Sequence, residues 1–470
     1  MSLLTRPIVL LTVITLLAIL IINPIISNNT YAQISSGDML SMNFKERMLP
    51  NGLKVITLQD NSSPTVAINV WYHVGSKDDP QGRSGFAHLF EHIMFKSTKN
   101  MKSEMLDRLT EDVGGYNNAF TSNDMTVYHE VVPSNHLERL LWAEADRLAS
   151  LNVDDPNFKS ERDVVKEEFR QSVLAQPYGK LFLLLDQKSY TAHPYKRPTI
   201  GNIEELDAAS LEDVISFHKT YYRPDNATLV VVGDFDQKQL DTWVDKYFSL
   251  VGKPASAIPR VTIAEPARSS EKRFTEYAEN VPLPAVAFTY LTPDAKSDDA
   301  YALEVLETIL TDGPSSRLYH SLVYEQQLAQ EVSTDTDLRE DNGLFVFNMT
   351  MASGKKPEDG ERALLAEIKK VVEVSVTAAE LDKARTKRIT RQYRERERSE
   401  GKALALGFAS VILGDTARVN SAIDRITKIT TDDVRRVANK YLLDKNRVTI
   451  YYLPQAKGSA SKETAGDTKQ

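Results

Sequence analysis

The feature that most constrains the fold of this 470-residue chain is an internal repeat. Residues 203–235 and 423–454 follow one pattern, in which Ser210 or Thr430 opens a helix that is followed by a turn and a β-rich strand. Matching residues keep one constant spacing, in the pairs Ile203/Ile423, Leu206/Ile426, Asp213/Asp433, Val214/Val434, Tyr221/Tyr441 and Asn226/Asn446. The same spacing joins Pro64-Thr65-Val66-Ala67 to Pro284-Ala285-Val286-Ala287. Chance likeness between two helix–strand units seldom keeps one register at both ends, so the sequence predicts duplication and two similarly folded halves.

Changes in composition mark the limits of these halves. We expect the first half to span residues 43–250 and the second to span 272–455. Residues 251–271 contain three prolines and predict a semi-rigid linker, whereas the polar tail 456–470 is typical of disorder. Strands and long amphipathic helices mix within each half without strict β-α-β alternation. We therefore predict an α+β fold, in which each half packs a mostly antiparallel sheet against helices.

Residues 1–32 have the pattern of a secretory signal peptide. Arg6 precedes an apolar run from Ile8 to Ile22, and Thr30-Tyr31-Ala32 offers small residues at a cleavage site. Cleavage after Ala32 would give a periplasmic or secreted protein with no stable membrane anchor. The alternative is an uncleaved N-terminal anchor, since this run nearly spans a thin bilayer.

Composition excludes several classes of protein. Hydrophobic residues make up 41% of the chain and charged residues 26%, which is typical of a globular protein with a buried core. A net charge of −8 without long basic runs argues against a nucleic-acid partner. The chain has no cysteine, so disulfides, thiolate metal sites and cysteine nucleophiles are excluded.

The segment from Gly85 to Phe95 carries the clearest chemical motif. It predicts a helix on which His88 and His92, one helical turn apart, share one face and can bind one metal ion. Neutral imidazoles suit zinc, and the neighbouring Glu91 can take a proton from zinc-activated water. The pattern is H-x-x-E-H. The alternative is a helix with two exposed histidines. The residues that flank the motif are strongly apolar, and this favours a buried helix instead.

A catalytic zinc ion needs a further protein ligand, and a later helix offers carboxylates. Glu161 and Glu168 are two helical turns apart and share a face, whereas Glu167 is rotated by about 100° from Glu168. Either member of the Glu167/Glu168 pair could bind zinc while the other orients a histidine. A helix rich in Glu and Arg is more often a solvated surface, so this segment is weak on its own.

Taken together, these motifs resemble the pitrilysin/insulinase family of zinc metallopeptidases, in its short bacterial and mitochondrial-processing-like branch. The family combines H-x-x-E-H with a distal E-x6-E and has duplicated α+β halves. The resemblance implies one zinc ion bound by His88, His92 and Glu168, with Glu91 as the general base and Glu161 in support behind the ligands. It also implies a zinc endopeptidase that hydrolyses peptides or unfolded segments.

A hairpin follows the motif helix. Residues 114–128 predict two β-rich arms around Ser122-Asn123-Asp124. The family uses a similar N-A-x-T strand as an exposed edge to which substrate adds as an extra strand, and this implies that Asn118 and Ala119 contact the substrate backbone. The alternative is an ordinary hairpin whose asparagines serve turns.

The second half departs from the active pattern. Thr308, Thr311 and Asp312 stand where the spacing of the repeat places the counterparts of His88, Glu91 and His92, so we expect no second zinc site.

A second departure concerns the substrate clamp. Active relatives carry in this half an Arg and, seven residues later, a Tyr that hold substrate and stabilise the oxyanion. Here the aligned residues are Val323 and Gln330, which cannot replace them. Arg317 and Tyr319 are separated by a single residue, and we interpret them as structural.

The missing pair suggests a partner. We expect a heterodimer in which a homologous zinc-less subunit supplies the Arg and Tyr, and this chain is the metal-bearing subunit. Two alternatives are a non-catalytic core or assembly subunit of the same fold and a module that only binds peptides through its edge strand.

Overall fold

The computed structural model describes residues 41–455. The predicted signal peptide at 1–32 and the predicted disordered tail at 456–470 lie outside the described residues. Within 41–455 no helix combines the length and apolar character needed to cross a membrane.

Two sheets, each packed with helices, build the molecule, which confirms the predicted duplicated α+β fold. The strands of the first sheet are β1 (Lys45–Met48), β2 (Lys54–Gln59), β3 (Thr65–Tyr72), β4 (Tyr116–Thr121), β5 (Thr126–Pro133) and β6 (Ala227–Gly233). Its helices are α1 (Phe86–Ile93), α2 (Met105–Glu111), α3 (Leu137–Ser150), α4 (Asp155–Phe169), α5 (Gly179–Ser189), α6 (Ile203–Asp207), α7 (Leu211–Tyr221) and α8 (Gln237–Phe248).

The second half repeats this series in a shorter form. Its strands are β7 (Lys272–Ala278), β8 (Ala285–Leu291), β9 (Ala329–Asp337), β10 (Leu344–Met351) and β11 (Arg447–Pro454). Its helices are α9 (Asp299–Thr311), α10 (Pro357–Val374), α11 (Ala378–Glu395), α12 (Ser399–Val411), α13 (Ala422–Lys428) and α14 (Thr431–Tyr441). Residues 251–271, the predicted linker, contain no helix or strand.

The order of the strands shows how closely the halves correspond. The first sheet runs β1-β2-β6-β3-β5-β4 and the second β7-β11-β8-β10-β9. Among the described strands only the pairs β2/β6 and β7/β11 are parallel, so both sheets are mostly antiparallel, as predicted. Ser210 and Thr430 each close a capping box at the start of α7 and α14, because their hydroxyls accept the N–H of Asp213 and Asp433.

Each sheet is covered on one face by a helix from the other half. Helix α12 packs on the first sheet, where Leu406 and Ala409 join Trp71 and Val230 in one cluster. Helix α5 packs on the second sheet in the equivalent way. A Cβ on Gly407 would lie 2.1 Å from the Trp71 ring, so glycine lets α12 approach the sheet closely. The two halves are therefore joined by a reciprocal exchange of helices.

The opposite face of the first sheet carries the helix with the H-x-x-E-H motif. In α1 the residues Phe86, Ala87, Leu89, Phe90 and Ile93 are buried in the core. The helical period then leaves His88, Glu91 and His92 together on the other side, where α4 passes and β4 forms the edge of the sheet.

Candidate metal centre

The structure brings His88, His92 and Glu168 together although they come from two helices. The Nε2 atoms of His88 and His92 lie 3.6 and 3.5 Å from one Oε2 atom of Glu168. The three ligand atoms all lie within 4.8 Å of one another, and within residues 41–455 no other group of three such side chains is found. Two imidazoles and one glutamate form a donor set typical of catalytic zinc sites. The Glu168 side chain is 43% exposed, so the cluster is open to solvent on that side.

A second carboxylate lies behind His92. Oε2 of Glu161 is 3.7 Å from Nδ1 of His92, on the side of the ring that faces away from Glu168. The Nζ atom of Lys96 contacts the other Glu161 oxygen at 2.7 Å. This arrangement orients the ring so that Nε2 faces Glu168. Although burial acts to raise it, the contacts with His92 and Lys96 hold the pKa of Glu161 below its usual range.

The two histidines differ in their electrostatic surroundings. Burial, followed by the neighbouring His92, lowers the pKa of His88 to about 4, so this imidazole is neutral and offers a lone pair to a metal ion. Burial also disfavours the charged form of His92, but the carboxylates of Glu161 and Glu168 outweigh it and raise its pKa to about 9. A metal ion would displace the His92 proton, because a histidine ligand must be neutral.

Glu91 faces the same cluster from the motif helix. Its Oε2 accepts a hydrogen bond of 2.6 Å from the hydroxyl of Thr121, at the end of the edge strand β4. Burial raises the pKa of Glu91, and this makes its carboxylate a better proton acceptor. The site can therefore combine a metal ion with an adjacent base.

Helix α4 presents Glu161 and Glu168 on one face, as their spacing predicts. Asp154 caps the helix by accepting the N–H of Asn157, and a π-helical turn, Arg170–Leu174, replaces the regular helix just after Glu168. Ser172 donates its hydroxyl to the Glu168 carbonyl at 2.7 Å within this turn. Glu167 points elsewhere, since it pairs with Arg170 and Gln171.

The predicted hairpin is formed by β4 and β5, and β4 is the outermost strand of its sheet. Asn118 is exposed and Ala119 is half-buried on this edge. The Asn118 side chain accepts the N–H of Ala119 at 2.8 Å. Strand β4 therefore has one unpaired edge in the described sheet, and it ends beside Glu91.

The residues singled out in the second half lie apart from the metal cluster. Arg317 forms two hydrogen bonds to Glu380, at 2.5 and 2.7 Å, which is in keeping with the structural role predicted for it. Val323 packs against the second core and Gln330 is exposed. Val323 lies in a π-helix, Tyr319–Glu325, whereas Gln330 lies in β9.

Two residues of the site were not predicted from the sequence. Lys96 belongs to no motif in the sequence and is marked only by its position one helical turn after His92. The Thr121 hydroxyl reaches Glu91 only because the hairpin folds against α1, which the sequence does not show.

Comparisons with known proteins assign the chain to a family. The model of the insulinase family (peptidase family M16) matches residues 54–202, and that of the peptidase M16 inactive domain matches residues 208–388. The zinc protease PqqE of Helicobacter pylori is 31% identical over 86% of this chain and 92% of its own length. A probable mitochondrial-processing peptidase subunit beta of Arabidopsis thaliana is 25% identical over 85% of this chain and 76% of its own.

Among solved structures, a protease from Helicobacter pylori superposes with a TM-score of 0.85 at 30% identity, covering 87% of this chain and 99% of that one. The chain therefore belongs to the insulinase family, M16, of metallopeptidases.

Proposed function

We propose that this chain is a zinc-dependent endopeptidase that cleaves peptides or unfolded segments, with one zinc ion bound by His88, His92 and Glu168. The observation that carries the proposal is the convergence of these three donors beside Glu91. The names of the relatives as zinc proteases support the choice of metal and the class of reaction.

The chemistry divides between the metal and the protein. A zinc ion at this centre supplies Lewis-acid activation of water and of the scissile carbonyl. Glu91 accepts the proton of the attacking water and passes it to the leaving amine. Thr121 holds one Glu91 oxygen, so the carboxylate keeps its orientation during both transfers. Glu161 holds His92 from the side opposite Glu168.

The edge strand gives the route for the substrate. A peptide that adds to β4 beside Asn118 and Ala119 lies next to Glu91, because β4 ends at the Thr121–Glu91 hydrogen bond. Pairing through the main chain accepts many side-chain sequences but requires an extended peptide. Folded proteins are therefore poor substrates.

A homologous zinc-less subunit would complete the active site. Val323 has no hydrogen-bond donor and Gln330 offers only a neutral amide where active relatives have Arg and Tyr, and the loss of such donors costs roughly 10²–10³ in rate. The relative named as a subunit of a mitochondrial-processing peptidase supports a two-subunit assembly. The signal-like sequence at 1–32 supports export to the periplasm or the cell exterior.

Substitution of the base tests the catalytic assignment. Glu91→Gln should retain about one zinc ion per chain, because Glu91 is not a proposed ligand, and should lose about 10²–10⁴ in turnover of an unstructured peptide. Metal analysis and a peptide-cleavage assay with and without chelator measure the two effects. Retained turnover would refute the role of Glu91, and an absence of zinc in the parent protein would refute the metal centre.

A mixing experiment tests the partner. The purified chain is assayed alone and with a homologous subunit that has the Arg and Tyr but no zinc motif. We expect roughly a hundredfold gain in activity from the pair. A lone chain as active as the pair would overturn the heterodimer.

A further inference from the structure

The helix that carries the H-x-x-E-H motif has no cap of its own. The residue before α1 is Gly85, which has no side chain with which to accept the free N–H groups of the first turn. The carboxylate of Asp79 accepts them instead. Its Oδ2 binds the N–H of Gly85 at 2.7 Å and its Oδ1 binds the N–H of Ala87 at 2.9 Å. Asp79 is only 4% exposed, so water does not compete for these two bonds.

His88 follows the second of these amides. Its ring contacts the ring of His92, with centroids 4.9 Å apart, and its Nε2 lies 3.6 Å from Glu168. Its Nδ1 atom is buried and has no hydrogen-bond partner within residues 41–455. Most zinc-binding histidines donate this second N–H to a carboxylate or carbonyl. His92 has Glu161 in that position, whereas the described structure places no such group beside His88. With no hydrogen bond at Nδ1, the direction of the His88 ring is set by these contacts and by where the first turn of α1 begins.

We propose that Asp79 is a positioning residue for the metal centre, which fixes the start of α1 and through it the direction of the His88 ring. The inference rests on the proposed function in one respect, that His88 binds zinc. Asp79 touches neither metal nor substrate, so it is not a catalytic residue.

The chain just before α1 is held on its other sides as well. Gly85 has a φ of +93° and packs against Gly201, where a Cβ would lie 2.4 Å from the Ser84 carbonyl oxygen. The N–H of Ser84 donates to Glu205 at 2.6 Å. Asp79 completes this support at the point where the helix begins.

The position of Asp79 also has a cost in stability. Burial raises its pKa to about 7, even though the two amides favour the carboxylate.

The test compares Asp79→Asn with Asp78→Asn as a matched control. Asp78 is also buried, at 7% exposure, but its carboxylate accepts the N–H of Gly75 at 3.1 Å and not an amide of α1. Asparagine at position 79 keeps the shape but turns an N–H₂ group toward one of the two amides. The readouts are the Zn²⁺ dissociation constant, by competition with a chromogenic chelator, and the melting temperature of the metal-free chain.

We expect Asp79→Asn to weaken Zn²⁺ binding by about 10–100-fold with a melting temperature close to that of the parent, and Asp78→Asn to stay within about twofold in affinity. Amide hydrogen exchange at Gly85 and Ala87 should accelerate only in Asp79→Asn. Asp79→Glu is the second variant if Asp79→Asn does not fold. It keeps the charge but displaces the carboxylate from both amides, and its expected loss of affinity is in the same range.

An Asp79 variant that folds and keeps parental Zn²⁺ affinity would overturn the inference. Equal losses in the Asp79 and Asp78 variants would also overturn it, because they would show general loosening of the segment. A parent chain that binds Zn²⁺ but cleaves no peptide, even with its partner, refutes the proposed function and leaves this inference intact. A parent chain that binds no Zn²⁺ refutes both.

Discussion

The two halves of the molecule share a backbone plan but use it differently at the metal cluster. In the first half, His88, His92 and Glu168 converge. The positive charge beside them is that of Lys96, which contacts Glu161. In the second half, Thr308, Asp312 and Arg388 occupy the corresponding positions of the repeat. Asp312 pairs with Lys387 at 2.9 Å and with Arg391 at 3.3 Å, and Arg388 pairs with Glu304.

This difference separates what the fold needs from what the chemistry needs. Salt bridges fill the space in the second half, where cationic side chains would repel a metal ion. In the second half, Thr311 stands where the repeat places the counterpart of Glu91. Its hydroxyl forms a hydrogen bond with the hydroxyl of Thr334 rather than with a carboxylate. The same architecture therefore occurs in the second half without such a cluster of donors, which within residues 41–455 only the first half carries.

The largest expected effect comes from giving position 168 the arginine that the second half has at the corresponding position, 388. Glu168→Arg should weaken Zn²⁺ binding by roughly a thousandfold, because it removes one ligand and places a positive charge beside the site. The chain should still fold, since α11 carries Arg388 at the same register. Metal analysis and circular dichroism measure the two properties.

The reciprocal substitution Arg388→Glu is the control, and the zinc content should remain one ion per chain because Thr308 supplies no imidazole. A second zinc ion in that variant would contradict the comparison.

A smaller effect is expected at the bond between the edge strand and the base. Thr121→Val removes the hydroxyl that holds Glu91, and we expect kcat to fall about tenfold with unchanged zinc content, since a hydrogen bond to a charged group contributes about 1.5–3 kcal/mol. Steady-state peptide cleavage measures it. Thr334→Val breaks the corresponding bond of the second half and should leave kcat unchanged. Equal losses in both variants would show that the effect is one of packing.

The smallest effect concerns stability and compares two aspartates at one register. Asp299 is the counterpart of Asp79 in the repeat, but its carboxylate accepts hydrogen bonds from Lys440 at 2.8 Å and Tyr441 at 2.7 Å on α14 and also pairs with Arg436. Although burial acts to raise it, these contacts lower the pKa of Asp299 to about 2. Because the folded pKa is depressed, this group stabilises the protein above about pH 4, and the contribution disappears as the pH falls toward 2.

We expect a contribution of about 1–2 kcal/mol to the free energy of unfolding, reduced from the full shift because Arg436 and Lys440 are half-exposed. Urea unfolding of the parent and of Asp299→Asn between pH 2 and pH 6 measures it. The two curves should differ most above pH 4 and converge at pH 2, and a constant difference would contradict the assignment.

Much of the fold and of the proposed ligand set could be predicted, because both follow from regular spacings between residues in the sequence. The constant register of the repeat indicated the two halves, and the caps at Ser210 and Thr430 marked the same helix in each. His88 and His92 share a helix face by periodicity alone. Glu168 was assigned through resemblance to a family, since spacing left Glu167 open as well.

Other features could not be predicted because they depend on tertiary contacts between distant segments. Helices α5 and α12 each pack on the sheet of the opposite half, and no local pattern in the sequence indicates which sheet a helix covers. Asp79 lies well before Gly85 in the chain and matches no capping motif, so only the folded chain shows where its carboxylate points. The π-helical turn after Glu168 also has no signal in a pattern that follows the α-helical period.

The reciprocal exchange of α5 and α12 has a consequence for each half taken alone. Either half, cut from the other, would leave one apolar side of its sheet open to water, because the helix that covers that side belongs to the opposite half. Neither half is therefore expected to be soluble as a separate fragment, although each has a full sheet of its own.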